Sequence, residues 1–233
     1  MKGKKAYIYK NQSSLWGEPE CIGFGTKNFY VKEIQKDISK KIIIENHYSK
    51  KVCNDATTHI HLGVFYKEKL MGALQYGYAM NPRSHSNIVK DSQFNEYKEL
   101  NRMWISDNCV KYAESRAISY SIKYIKKKYP TVKWIQTFAD ERCGGFGIVY
   151  QACSFSYYGE HDGIFYEFEG EIYHNNVVNN SKRKKKKELE QRGVLDTGIK
   201  KTLRQFRYIK FLDKREKKKC LLKEQPYPKH YKE

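Results

Sequence analysis

Four segments of this chain of 233 residues gather polar and charged side chains where strands and helices should begin or end. They read ENHYSKK (45–51), ELNRMWISD (99–107), YAESRAIS (112–119) and FADERCGGFGIVYQACSFSYYG (138–159). Rigid scaffolds present reactive groups at such boundaries. Arg102 falls in the middle of an expected central strand, where a buried guanidinium needs an anion or a full set of acceptors. Its structural alternative is an ion pair with Glu99 or Glu114. Asp140 closes an apolar run; a carboxylate there either orients a base or ligates a metal, or it caps the turn into Gly144 and Gly145. Tyr150 either donates a proton to a leaving group or packs its ring in a core. His59 and His61 alternate onto one side of a strand and form a weaker metal pair.

The elements that must hold these groups follow from hydrophobic period and turn residues. Residues 28–31 read as a strand after the Gly23-Phe24-Gly25 turn signal, whereas 1–20 read as polar and irregular. Ile34, Ile38 and Ile42 recur at helical spacing, with Ile43 and Ile44 widening the stripe, so 34–45 reads as the first helix. Residues 59–66 and 70–78 form two β-rich runs around Lys67-Glu68-Lys69, which predicts a hairpin. A strand over 99–105 then precedes a helix over 111–128, whose Ala113, Ala117, Ile118, Ile122 and Ile125 share a face and which Pro130 ends. A buried strand over 132–139, a glycine-rich turn, a short helix over 148–153 and strands at 155–158 and 163–168 complete the order. This is a mixed α/β fold with helices flanking a central sheet.

Lys and Arg outnumber Asp and Glu by 45 to 26, a net charge of +19 that calls for a polyanionic partner. The charge is concentrated: residues 181–233 hold 20 Lys or Arg against 7 Asp or Glu. That shift predicts a catalytic domain over 1–180 and a basic nucleic-acid-binding extension over 181–233. The sharpest part is the run Lys182, Arg183, Lys184, Lys185, Lys186 and Lys187, which stays solvated until phosphates neutralise it. Beyond it, Arg204 and Arg207 interleave with Phe206, Tyr208, Ile209, Phe211 and Leu212, a pattern that can add a short strand or helix to the main body. No spanning segment or signal peptide is visible, so no membrane partner and a cytoplasmic location are expected. Six scattered cysteines without a CxxC pair predict reduced thiols.

Together with the hairpin HLGVFYKEKLMGALQYG (61–77), the four segments resemble the phage Mom DNA-modification family, in the same order along the chain over roughly residues 40–160. That family is regarded as related to the GNAT superfamily of N-acetyltransferases, so the resemblance implies a GNAT-like mixed central sheet flanked by helices, here with a basic C-terminal extension. It also implies an enzyme that converts adenine in phage DNA to an N6-carbamoylmethyl form, which host restriction enzymes fail to cut. The family's functional positions fall on Tyr48, Arg102, Ser115, Asp140 and Tyr150. Arg102 and Ser115 are the implied donor-binding pair. Iron is thought to take part in that family, and His47, Tyr48 and Asp140 would be its ligands here.

The GNAT-like fold places donor phosphate at the N-terminus of the helix after the central strand, yet Asn108-Cys109-Val110-Lys111-Tyr112 contains no glycine for close backbone approach. Acetyl-CoA alone also lacks the nitrogen of a carbamoylmethyl product. Glycyl-tRNA, or an iron-assisted route from another acyl donor, supplies the missing chemistry, and tRNA is then a second partner beside DNA. An extruded adenine would stack on Tyr76, Tyr78, Trp104 or Phe146. The alternatives are an N-acetyltransferase acting on a protein or small amine, and a non-catalytic DNA-binding module.

Overall fold

The computed structural model describes residues 3–10, 19–49, 58–79, 81–179 and 184–229. The chain runs β1 (Ala6–Tyr9), β2 (Cys21–Gly25), β3 (Phe29–Glu33), α1 (Lys36–Asn46), β4 (Thr58–Tyr66) and β5 (Lys69–Gly77). Two short 3-10 turns then lead to β6 (Tyr97–Ile105), α2 (Ala113–Lys128), β7 (Trp134–Asp140), α3 (Ile148–Ala152) and β8 (Ser156–Phe168). The last elements are β9 (Glu171–His174), α4 (Asn175–Asn179), α5 (Lys184–Gln191), α6 (Val194–Thr197), β10 (Ile199–Phe211) and α7 (Lys214–Lys217). All ten described strands join one sheet in the order β1-β2-β3-β4-β5-β6-β7-β10-β8-β9. It is the mixed α/β architecture that the order of elements predicted.

Helix α2 lies on one face of this sheet. Its Ala117, Ile118, Ile122 and Ile125 enter a core with Val31, Leu62, Leu74, Leu100, Ile135, Phe206 and Tyr208. The opposite face carries α1, whose buried residues are Ser39 and Ile43. Ile38 and Ile44 are exposed, so the predicted apolar stripe is rotated from the face that packs. A polar contact sets that rotation: Gln75 Nε2, buried on β5, donates to Ser39 Oγ at 2.9 Å. The β4–β5 hairpin turns on Lys67 and Glu68, both at positive φ (47° and 66°), the conformation a two-residue hairpin loop requires.

Two irregularities shape the centre of the sheet. Gln75 on β5 pairs with Arg102, but the adjacent Tyr76 pairs with Leu100, so Asn101 is an extra, bulged residue in β6. Strands β6 and β7 form the parallel pair, and they are paired only from Tyr97–Glu99 to Trp134–Gln136. Beyond that point the ladder ends, leaving a gap in the backbone pairing toward their C-terminal ends.

The composition break at residue 181 is not a structural boundary. β10 lies C-terminal to it, yet β10 is an interior strand that pairs antiparallel with β7 on one side and β8 on the other. Its alternating sequence explains this. Phe206 and Tyr208 fill the α2 core while Ile209 fills a second cluster with Trp134, Tyr97 and Tyr158 on the other face. The chain's N-terminus also departs from expectation, because β1 pairs with β2 at the sheet edge. The two strands predicted near 155–168 are one, β8, bent where Gly159 at φ 89° makes room for an extra residue opposite Arg207. The first half of β10, with β8, β9 and α4–α6, forms a small lobe around Tyr173, Val178, Leu189 and Val194.

Candidate active site

Strand alternation puts Gln136, Phe138 and Asp140 of β7 on the face opposite α2, since Ile135 and Ala139 enter the α2 core. The bulge at Asn101 lets Arg102 join that same face while Leu100 and Met103 stay with α2. From β10, Arg207 arrives beside them, alternating with the core residues Phe206 and Tyr208. The C-cap of α1 brings His47 in from above, and its extended backbone (φ −76°, ψ 137°) carries Tyr48 onward toward β7. Tyr48 Oη donates to Asp140 Oδ2 at 3.3 Å. His47 is buried, and its Nδ1 accepts from the Ser49 backbone N–H at 3.2 Å.

Asp140 is held most firmly by Arg142. The Arg142 backbone N–H and Nε donate to Oδ1 at 3.0 and 2.9 Å, and Nη2 donates to Oδ2. The Arg142 guanidinium also lies over the Tyr48 ring, 5.1 Å from its centroid. Burial opposes ionisation of Asp140, but the Arg142 hydrogen bonds and charge outweigh it and hold the carboxyl below its ordinary value. His47 is pushed down to about 4, first by burial and then by the charges of Arg102 and Arg142, so it is neutral at physiological pH. Glu99 lies deeper. Burial raises its pKa, opposed by Asn101 Nδ2 (3.1 Å), Gln136 Nε2 (2.7 Å) and the nearby guanidiniums of Arg102 and Arg207.

Ser115 and Tyr150 belong to the other side of the gap. Ser115 Oγ donates to Tyr112 O at 3.2 Å in the first turn of α2, and Cys153 Sγ donates to Ser115 O at 3.3 Å. Tyr150 packs on the α2 core, with its ring 5.6 Å from Tyr208 and 6.0 Å from Phe155. The five residues therefore form two groups on opposite faces. Tyr48, Arg102 and Asp140 share one, and Ser115 and Tyr150 share the other.

The trio His47, Tyr48 and Asp140 does not make an iron site in this arrangement. Asp140's oxygens accept from Arg142 and Tyr48, His47 Nδ1 is bonded to Ser49, and the positive charges of Arg102 and Arg142 already act on His47, which disfavours a further cation. Among the described residues, no three His, Cys, Asp or Glu side chains are grouped as metal ligands. His59 instead rests its ring on Tyr78 at 4.8 Å.

Several other expectations change with burial. Tyr76 is fully enclosed and its phenol is hydrogen-bonded to Ser121, so it is unavailable to a base. Arg204 is not a free cation: it is bound by Glu141 at 2.8 Å and lies 3.7 Å from Glu160. Arg207 lies half-buried on the same sheet face as Gln136 and Phe138, donating to Gln136 Oε1 at 3.1 Å and stacked over Phe138 at 4.8 Å. In the basic run, Lys186 pairs with Glu190 at 3.1 Å and Lys187 is exposed. Lys184 and Lys185 lie in α5, while Lys182 and Arg183 fall outside the described residues. Sequence reading missed Arg142, although its place two residues after Asp140 at a strand end is the spacing of a carboxylate-capped turn. It had no signal for Gln136, which only the sheet brings to Glu99 and Arg207. Among the described residues Cys21, Cys109, Cys153 and Cys220 are free thiols. No helix among them is long and apolar enough to cross a membrane.

The sequence profile of the Mom protein family matches residues 28–229 of this chain. Methylcarbamoylase mom of Escherichia phage Mu is 42% identical over 231 residues, covering 98% of this chain and 95% of that protein. Among solved structures, the ribosomal-protein-S5-alanine acetyltransferase of Vibrio fischeri aligns over 83% of this chain and 98% of its own, at 12% identity and a TM-score of 0.49.

Proposed function

Because the chain belongs to the Mom protein family, we propose that it is a DNA-modifying transferase that converts adenine to N6-carbamoylmethyladenine and so shields phage DNA from host restriction. The observation that carries this reading is the Tyr48–Asp140–Arg142 assembly at the mouth of the β6–β7 gap, on the sheet face that also holds Arg102. The adenine amine is a weak nucleophile because its lone pair is delocalised into the ring, so it must be aligned and its developing charge absorbed. An ionised Asp140, locked in place by Arg142, accepts a hydrogen bond from the Tyr48 phenol, whose oxygen in turn accepts one from the amine. Arg102 offsets negative charge that develops on the acyl oxygen. The target base leaves its stack to reach this face, with Tyr78, Trp104 and Phe146 as the aromatic surfaces nearest in role.

In this reading an activated acyl donor enters from the α2 side, where Ser115 positions it and the Tyr150 phenol protonates the leaving group. We assign the donor as a glycyl group, because its atoms balance. Attack of the adenine N6 on a glycyl ester forms the N6-glycyl amide and releases the carrier's hydroxyl. That amide is an isomer of the carbamoylmethyl product, reached when the glycyl amine attacks the ring carbon. A glycyl-tRNA carries the group already activated; acetyl-CoA lacks the nitrogen. No iron step is needed. The exposed part of the run 182–187 holds DNA phosphates, and the enzyme works in the cytoplasm, where its DNA substrate lies.

Mass spectrometry of nucleosides from DNA of cells expressing the protein tests the reaction, and isotopically labelled glycine tests the donor. Modified adenine carrying the glycine label is the expected result. An unmodified adenine profile with soluble protein overturns the reaction; modified adenine without the glycine label overturns the donor.

A further inference from the structure

A second feature of the α2 side lies away from the helix N-terminus. Ser119, Ile122, Lys123 and Lys126, spaced along one face of α2, line a groove of about 240 Å³ with Cys153 and with Lys210, Phe211 and Leu212 at the end of β10. Its wall is apolar where Ile122, Phe211 and Leu212 meet, and three lysines stand around it. Lys210 is fixed by the carbonyls of Cys153 and Ser154 at 2.8 and 3.1 Å. Burial, with Lys123 beside it, holds the Lys210 ammonium below the ordinary lysine value.

What sets this groove apart is that three lysines converge on one apolar wall. In the C-terminal lobe Lys186, Arg192, Lys201 and Arg204 each have a glutamate partner. No carboxylate among the described residues pairs with Lys123, Lys126 or Lys210. Lys126 gains from the C-terminal end of the α2 dipole, but Lys123 stands a turn earlier and faces Lys210, a like-charge juxtaposition that an anion would relieve. The groove also adjoins the donor side. Cys153 forms part of its lining, and the Cys153 thiol bonds to Ser115 O.

We propose that this groove holds the phosphate-bearing nucleotide of the acyl donor's carrier. The inference rests on the donor entering from the α2 side. Activated acyl donors carry their group on leaving groups that bear phosphate, and the groove offers an apolar wall for a base and ammonium groups for phosphates. A duplex spreads its phosphate contacts over a surface much larger than these eight lining residues provide. The phosphates thereby sit where lysines can reach them, and the glycine-free turn before α2 is not required to cradle them.

The test uses the whole chain and its Lys123→Gln/Lys126→Gln double variant, with Lys27→Gln/Lys69→Gln as a variant of equal charge loss elsewhere. Binding is titrated with adenosine 3′,5′-bisphosphate, with a short single-stranded RNA and with duplex DNA. The groove variant should bind the bisphosphate, the RNA or both about tenfold more weakly, as two solvent-flanked charge contacts provide. Its duplex affinity should match that of the Lys27/Lys69 variant. Which of the two probes weakens identifies a coenzyme or an RNA carrier. An equal loss for duplex DNA, or no loss for either small probe, overturns the proposal. Binding requires no turnover, so this result stands apart from any failure to modify adenine.

Discussion

The phenol of Tyr48, at the end of the first helix, reaches the carboxylate of Asp140, at the end of β7, across 92 residues of chain and 3.3 Å of space. Neither residue is placed by its own neighbours. Tyr48 is carried there by the C-cap of α1, and Asp140 by a strand braced between β6 and β10.

Asp140→Asn should therefore separate chemistry from folding. The substitution keeps the shape but removes the charge that pairs with Arg142, and adenine modification should fall by about 100-fold or more. The variant should still bind DNA with unchanged salt dependence. Full modification activity in Asp140→Asn would mean that the carboxylate only caps the turn.

His47 links the site to pH. Its pKa in the folded protein is about 4 against an ordinary value of 6.5, so the unfolded chain binds the extra proton first as pH falls. Stability should drop between pH 6.5 and pH 4. In urea titrations across that window, His47→Gln should show a shallower decline than the natural protein; an identical decline would place the effect elsewhere.

Tyr150→Phe keeps the ring that packs on Tyr208 and Phe155 and removes the phenol. Thermal stability should change little, while the turnover rate falls by about 100-fold. Unchanged turnover would leave Tyr150 a packing residue.

Gly147 adopts φ 78°, and a Cβ there would fall 2.5 Å from Tyr208 Cε2. Gly147→Ala should destabilise the protein by about 1–3 kcal/mol, through overpacking and backbone strain combined. Urea unfolding would measure it, and a neutral result would show that Tyr208 yields.

Replacing the cations at 182–187 with Gln should reduce the slope of log affinity for DNA against log salt by about one for each phosphate that the protein no longer neutralises. Arg204→Gln should leave that slope unchanged, because Glu141 already neutralises the guanidinium. A large change with Arg204→Gln would show that DNA breaks that ion pair.

Local pattern determined much of this protein. The periodicity of the α2 sequence, the β4–β5 hairpin and the apolar run of β7 are readable because each element buries a face of its own, and separate blocks of sequence in series carried the family resemblance and the identities of Tyr48, Arg102 and Asp140. Tertiary structure alone decided which of these residues meet. The bulge at Asn101 chooses the face that receives Arg102, and a one-residue difference in register would send it to the α2 core. The charge count made residues 181–233 look like an appendage, but charge density reports only the exposed side of a strand. The buried side, Phe206 and Tyr208, placed β10 inside the sheet, and the same alternation brought Arg207 to Gln136 on the opposite face. Meetings between residues far apart in sequence depend on the pairing of whole strands, and no local spacing encodes that pairing.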